Sequence, residues 1–117
     1  LLTDWLKHTV RMNPYLLIRW IDENTKLGRE QLKSFLEYML HVMRETMLAM
    51  MQQEYRPRLN AEEKKIAQAL YKYIDLQKLE HIIHLIDQKH YEIERNVSPK
   101  IIFFNLSIKI HAIISSK

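Results

Sequence analysis

The chain has 117 residues, 47% of them hydrophobic and 27% charged, with a net charge of +4 and a pI near 9.3; this is the composition of one folded domain with a modest core, not of a disordered or low-complexity chain. There is no cysteine, which excludes disulfides, thiol nucleophiles and cysteine-ligated zinc, and suits the cytoplasm. The single glycine, Gly28, excludes a phosphate loop and a dinucleotide fingerprint, because both need clustered glycines for backbone to approach a phosphate.

The elements are predicted in chain order. Leu2, Trp5, Leu6, Thr9 and Val10 fall at i, i+3, i+4, i+7 and i+8, one face of a helix. Asn13-Pro14 then reads as an N-cap followed by proline at the first helical position, where its missing N–H costs nothing. Leu17, Trp20, Ile21 and Asn24 form the next short stripe, and Gly28 marks a turn. From Arg29 to about Gln53 a long 3.6-residue period carries Leu32, Phe35, Leu36, Met39, Met43, Thr46, Met47, Met50 and Met51. The methionines are expected to fill core, or to form an adaptable binding stripe. Met50 and Met51 are neighbours and cannot share a face, so one of them is expected to meet solvent or a partner.

Asn60-Ala61-Glu62-Glu63 has the form of a capping box. The helix it opens is expected to bury Ile66, Ala69, Leu70, Tyr73 and Ile74. Asp75 caps the next one, with Leu79, Ile82, Ile83, Ile86, His90 and Ile93 on its inner face. Asn96 ends that helix, and Ser98 and Pro99 start another as cap and first residue. The last segment is ambiguous. Asn105, Ser107, Lys109 and His111 alternate with Leu106, Ile108, Ile110 and Ala112, which also suits a strand. A lone strand would have no partner for its backbone, so the segment from Pro99 to about Ser115 is taken as a helix that is apolar nearly all round. The fold class is therefore all-α: a single bundle of five or six helices.

Function classes narrow in the same way. No apolar run reaches the roughly 18–20 residues of a membrane span, and the start, LLTDWLKH, is not a signal peptide. The chain does not begin with Met and is expected to be a piece of a longer one. His81, His84 and Asp87 have a spacing that approaches a metal site, but they drift around the helix and no Glu-x-x-His pair completes them; no metal and no cofactor are expected. Glu37, His41 and Glu45 lie at i, i+4 and i+8, which reads as the solvated face of a long helix more readily than as an acid–base set. Arg56, Arg58, Lys64 and Lys65 form a loose basic cluster, either a solvated loop and helix start or a phosphate-contacting patch.

Two stretches, WIDENTKLGREQLKSFLEYMLHVMRE at 20–45 and HYEIERNVSPKIIFFNLSIKI at 90–110, resemble the C-terminal collar domain of the bacterial DNA polymerase III clamp-loader subunit delta-prime, in the form found in Bacteroidetes-like bacteria. The first matches at Trp20, Gly28-Arg29-Glu30, Phe35-Leu36 and Arg44-Glu45. The second, the more specific, matches at His90, Ile93-Glu94-Arg95-Asn96, Pro99-Lys100 and the apolar helix that follows. The resemblance implies a non-catalytic oligomerisation domain that follows two ATPase-type domains, in a five-membered ring that loads the sliding clamp on primed DNA. Its partners would be the gamma/tau and delta subunits, with DNA contacted through the whole complex. The fragment itself would be no enzyme, although the holoenzyme is a DNA-directed DNA polymerase. The gamma/tau collar shares the fold and is the nearest alternative; a helical adaptor or nucleic-acid-binding domain comes from another class.

Within this reading Ile102, Leu106 and Ile113 are expected to face the bundle, while Phe103, Phe104 and Ile110 point elsewhere, some toward a neighbour. Arg29, Glu30, Arg44, Glu45, Glu94 and Arg95 are the candidate polar contacts, pairing within the bundle or across to another collar. Asn96, Ser98 and Pro99 form the candidate structural turn, which stands with or without an interface beside it.

Overall fold

A computed structural model describes Leu2, residues 4–6 and residues 14–115. Leu2 and residues 4–6 are helical. Five helices follow: α1 (Pro14–Asn24), α2 (Arg29–Met51), α3 (Ala61–Tyr73), α4 (Leu76–Glu94) and α5 (Pro99–Ser115), with a 3₁₀ turn, Thr25–Leu27, between α1 and α2. No strand occurs among the described residues, so the fold is an all-α bundle. No helix among them is long and apolar enough to cross a membrane. Thr9, Val10 and Asn13 lie outside the described residues.

Helix ends follow the local chemistry of the sequence. Pro14 and Pro99 each occupy a first helical position. The Asn60 side chain accepts from Glu63 N–H at 2.8 Å, and the Glu63 carboxylate accepts from Asn60 N–H at 2.9 Å, which completes the capping box. Asp75 accepts from Lys78 N–H at 2.8 Å. Gly28 precedes α2 at φ 99°, in a region that favours glycine.

Helices α2 and α4 pack along their length, and α5 lies against α4 and α1. The core joins Leu32, Leu36, Met39 and Met43 of α2 to Leu79, Ile82, Ile86 and Ile93 of α4 and to Ile102 and Leu106 of α5. Four aromatic rings close one end. Trp20 lies 6.4 Å from Trp5, 5.9 Å from Phe35 and 6.0 Å from Phe103 between centroids, and Phe35 stacks on Phe103 at 6.0 Å. The buried Trp5 Nε1–H donates to Ser107 Oγ at 3.0 Å, and Ser107 Oγ–H donates to the Phe103 carbonyl at 2.7 Å. The N-terminal helical residues are thereby fixed to α5.

The structure corrects several expectations. Phe103 and Ile110 do not point outward: they are 0% and 1% exposed, because α5 sits between α1 and α4 and buries that side as well. Segment 105–112 is helical, which removes the strand. On α3, Ala67 is buried in place of Ala69, and Tyr73 is exposed, because only a narrow face of this short helix meets α2. Met39 and Met43 are core, Met47 and Met50 are half-buried, and Met51 is 58% exposed.

Candidate functional site

The turn between α4 and α5 is built from its own residues first. Asn96 adopts φ 66°, a left-handed conformation that asparagine tolerates better than most residues. Arg95 N–H and Val97 N–H both donate to the Glu92 carbonyl, at 3.0 and 3.3 Å. Ser98 supplies the carbonyl that accepts from Ile102 N–H at 3.0 Å, opening α5.

A row of α2 side chains then grips this turn. Arg29, Lys33 and Glu37 stand at i, i+4 and i+8, on one face of α2. Arg29 Nη1–H donates to the carbonyls of Ile93 at 2.7 Å and Val97 at 3.2 Å. These carbonyls close a helix end and a turn, and a guanidinium is suited to reaching two acceptors at once. Lys33 Nζ lies 3.1 Å from Glu94. Glu94 holds the Lys33 ammonium above its ordinary pKa, and Lys33 in turn holds the Glu94 carboxyl below its own. Glu37 meets His90 Nε2 at 2.9 Å, and His90 Nδ1 lies 3.7 Å from Glu94. The Lys33–Glu94 and Glu37–His90 pairs are screened by solvent, so these two set the register of α2 on α4 more than they add stability.

The other sequence candidates separate clearly. Arg29 and Glu94 are engaged inside the chain. Arg95 lies over the Tyr91 ring at 4.7 Å and stays exposed. Arg44 is exposed, 4.0 Å from Asp87, and Glu30 is exposed at the start of α2. Phe104 is 41% exposed, whereas Phe103 and Ile110 are core. The outward candidates are therefore Glu30, Arg44, Arg95 and Phe104.

The Glu37, His41 and Glu45 row does not act as a set. His41 Nε2 meets the Arg58 carbonyl at 3.0 Å, while Glu37 goes to His90. Glu45 is buried, contrary to the expectation of a solvated face. It accepts from the Tyr55 hydroxyl at 2.7 Å and from Arg58 N–H at 2.8 Å, so it ties the loop after α2 back onto that helix. These bonds hold its carboxyl below the usual range. Tyr38 likewise donates to Glu63 at 2.6 Å. Desolvation, then that bond, pushes the Tyr38 hydroxyl up to about 12.

His81 and His84 line an open groove with Asp75 and Glu80 at one end of the bundle, and Asp87 turns to Arg44 instead. Among the described residues no three metal-ligating side chains converge. Arg56, Arg58, Lys64 and Lys65 are all exposed.

Around Phe104, the one apolar candidate that stays exposed, lies a surface between α1 and α5 whose other residues were not among the sequence candidates. Ile18, Ile101 and Phe104 line an apolar groove with Lys100 and Asn105 at its edge. Ile108, exposed at 38%, continues it along α5. Ile101, Phe104 and Ile108 recur at i, i+3 and i+7, but Ile102, Leu106 and Ile110 of the core also recur at helical spacing, so periodicity alone does not single out this face. Comparison with family models, with curated proteins and with solved structures gives no match for this chain.

Proposed function

We propose that the chain is the helical collar of a delta-prime-type clamp-loader subunit. In this reading it is a non-catalytic oligomerisation domain in the cytoplasm, and it helps hold together the ring that places a sliding clamp on primed DNA. Its partners are the gamma/tau and delta subunits, and DNA is met only through the assembled complex.

One observation carries the reading. The two stretches that resemble the collar, 20–45 and 90–110, are distant in sequence and form one unit in space. Arg29, Lys33 and Glu37 of the first contact Ile93, Val97, Glu94 and His90 of the second. Trp20 and Phe35 of the first pack on Phe103 of the second. The residues of the resemblance therefore build a fixed turn and a fixed helix register. A domain that positions neighbours in a ring needs this rigidity, because a helix that slides cannot present the same surface twice.

Reconstitution tests it. The chain is mixed with gamma/tau and delta subunits from the same organism and followed by gel filtration. Co-elution is expected. Separate elution, with retention on DNA that weakens steeply with salt and with loss of Arg56, Arg58, Lys64 and Lys65, would favour a nucleic-acid-binding domain instead.

A further inference from the structure

The exposed face of α5 has a specific chemistry. Ile101, Phe104 and Ile108 run along it, 64%, 41% and 38% exposed, and Ile18 of α1 adds a second wall at 47%. At 1.5 Å per residue the strip Ile101 to Ile108 is about 10 Å long, the reach of two helical turns. Lys100 and Lys109 flank it on opposite sides of the helix, since 3.6 residues per turn puts one about a quarter-turn to each side. Helix α5 carries no Asp or Glu. Lys100 pairs with Asp22 of α1 at 3.1 Å, and among the described residues Lys109 has no ion-pair partner. Within the strip, Asn105 Oδ1 is shielded from solvent and accepts no hydrogen bond. A buried acceptor left unmade costs about 1–3 kcal/mol.

We propose that this α1–α5 groove seats a helix of a neighbouring subunit that presents an apolar strip, a carboxylate for Lys109 and one N–H or O–H donor for Asn105. The inference rests on the collar reading and adds the face used and the chemistry of the occupant. Each part has a reason. The two-helix groove with anchors at i, i+3 and i+7 suits a helix laid along it. Lys109, whose charge no carboxylate answers among the described residues, selects a carboxylate on the occupant. The same charge disfavours a second copy, whose α5 has no carboxylate and whose α1 carboxylates, Asp22 and Glu23, already pair with Lys100 and Arg19. The amide oxygen disfavours a lipid surface, whose acyl chains have no donor. The terminal torsion of asparagine is soft, so the amide can turn to meet the incoming donor.

The test places the photo-crosslinker benzoylphenylalanine at position 104 in the assembled complex. Affinity is measured beside it for Phe104→Ser, Lys109→Glu and Asn105→Leu, each checked for unchanged helicity. Expected are a crosslink to a helix of gamma/tau or delta that bears acidic residues, and a loss of about tenfold or more in affinity for Phe104→Ser. Lys109→Glu should weaken binding most at low salt. Asn105→Leu separates an interface role from a structural one: it should leave the melting temperature of the free chain unchanged or raised and still weaken the complex. If the wild-type chain assembles while position 104 crosslinks to no subunit and the variants bind normally, this inference falls and the collar reading stands. A crosslink only to a second copy also overturns it. If the wild-type chain joins no complex, the collar reading falls and the inference falls with it.

Discussion

Arg29 donates to the carbonyl of Ile93 at 2.7 Å across 64 residues of sequence, and the same nitrogen reaches Val97. One side chain from the start of α2 thus satisfies the end of α4 and the turn into α5. Arg29→Ala is expected to lower stability by about 1.5–3 kcal/mol, the range for a hydrogen bond with a charged donor. Arg29→Lys should recover only part of that, since an ammonium lacks the planar fork. Urea denaturation measures both; a loss below about 0.5 kcal/mol for Arg29→Ala would show that the turn holds without it.

Phe103 and Phe104 are adjacent on α5, about 100° apart around the helix: Phe103 is buried and Phe104 is 41% exposed. Phe103→Ala is expected to cost about 3–5 kcal/mol, because it opens a cavity beside Trp20 and Phe35. Phe104→Ser should cost less, about 1–2 kcal/mol in the free chain, because Phe104 is 41% exposed and only part of its ring lies against the α1–α5 groove. Thermal unfolding of the pair reads this directly, and equal effects would mean that α5 is rotated from the described orientation.

Asn96 holds φ 66°. Asn96→Gly should be neutral or slightly stabilising, and Asn96→Val should cost about 1–2 kcal/mol, the steric cost of a left-handed conformation for a branched residue. A tolerated valine would show that the turn does not need the left-handed residue.

Glu45 and Glu63 give the chain an acid sensitivity. The Tyr55 hydroxyl and then Arg58 N–H lower the Glu45 pKa, and the Tyr38 hydroxyl and then Asn60 N–H lower that of Glu63. A depressed folded-state value means that stability is present above the unfolded pKa, about 4.3. It is lost as pH falls through the folded values. Glu45→Gln should flatten the stability profile below about pH 4.3 and, at neutral pH, destabilise the loop bearing Tyr55 and Arg58. Hydrogen exchange at Arg58 N–H checks the second effect, and protection equal to wild type would contradict it.

The elements were legible because their caps are local. Asn60 with Glu63, Asp75, Pro14 and Pro99 each act within four residues, so the chain order alone displays them. The inner face of α4 was legible from its period. What α5 buries was not, because a helix apolar on nearly every side has no preferred face until α1 and α4 enclose it. Lys100 and Lys109 marked the open side and were the usable clue. Periodicity puts Glu45 on a solvated face, but its partners come from the loop after α2, and periodicity says nothing of where a loop returns. Arg29 stands out in the sequence as a candidate polar contact, but its acceptors are backbone carbonyls 64 and 68 residues away, which carry no side-chain signature.

The most direct test of the collar reading is native mass spectrometry of this chain mixed with the gamma/tau and delta subunits of its own organism. The reading predicts a hetero-complex of defined stoichiometry that contains the chain, and that is weakened by Phe104→Ser while the free variant stays folded. A chain that remains alone in every mixture, with its helicity intact, would contradict it.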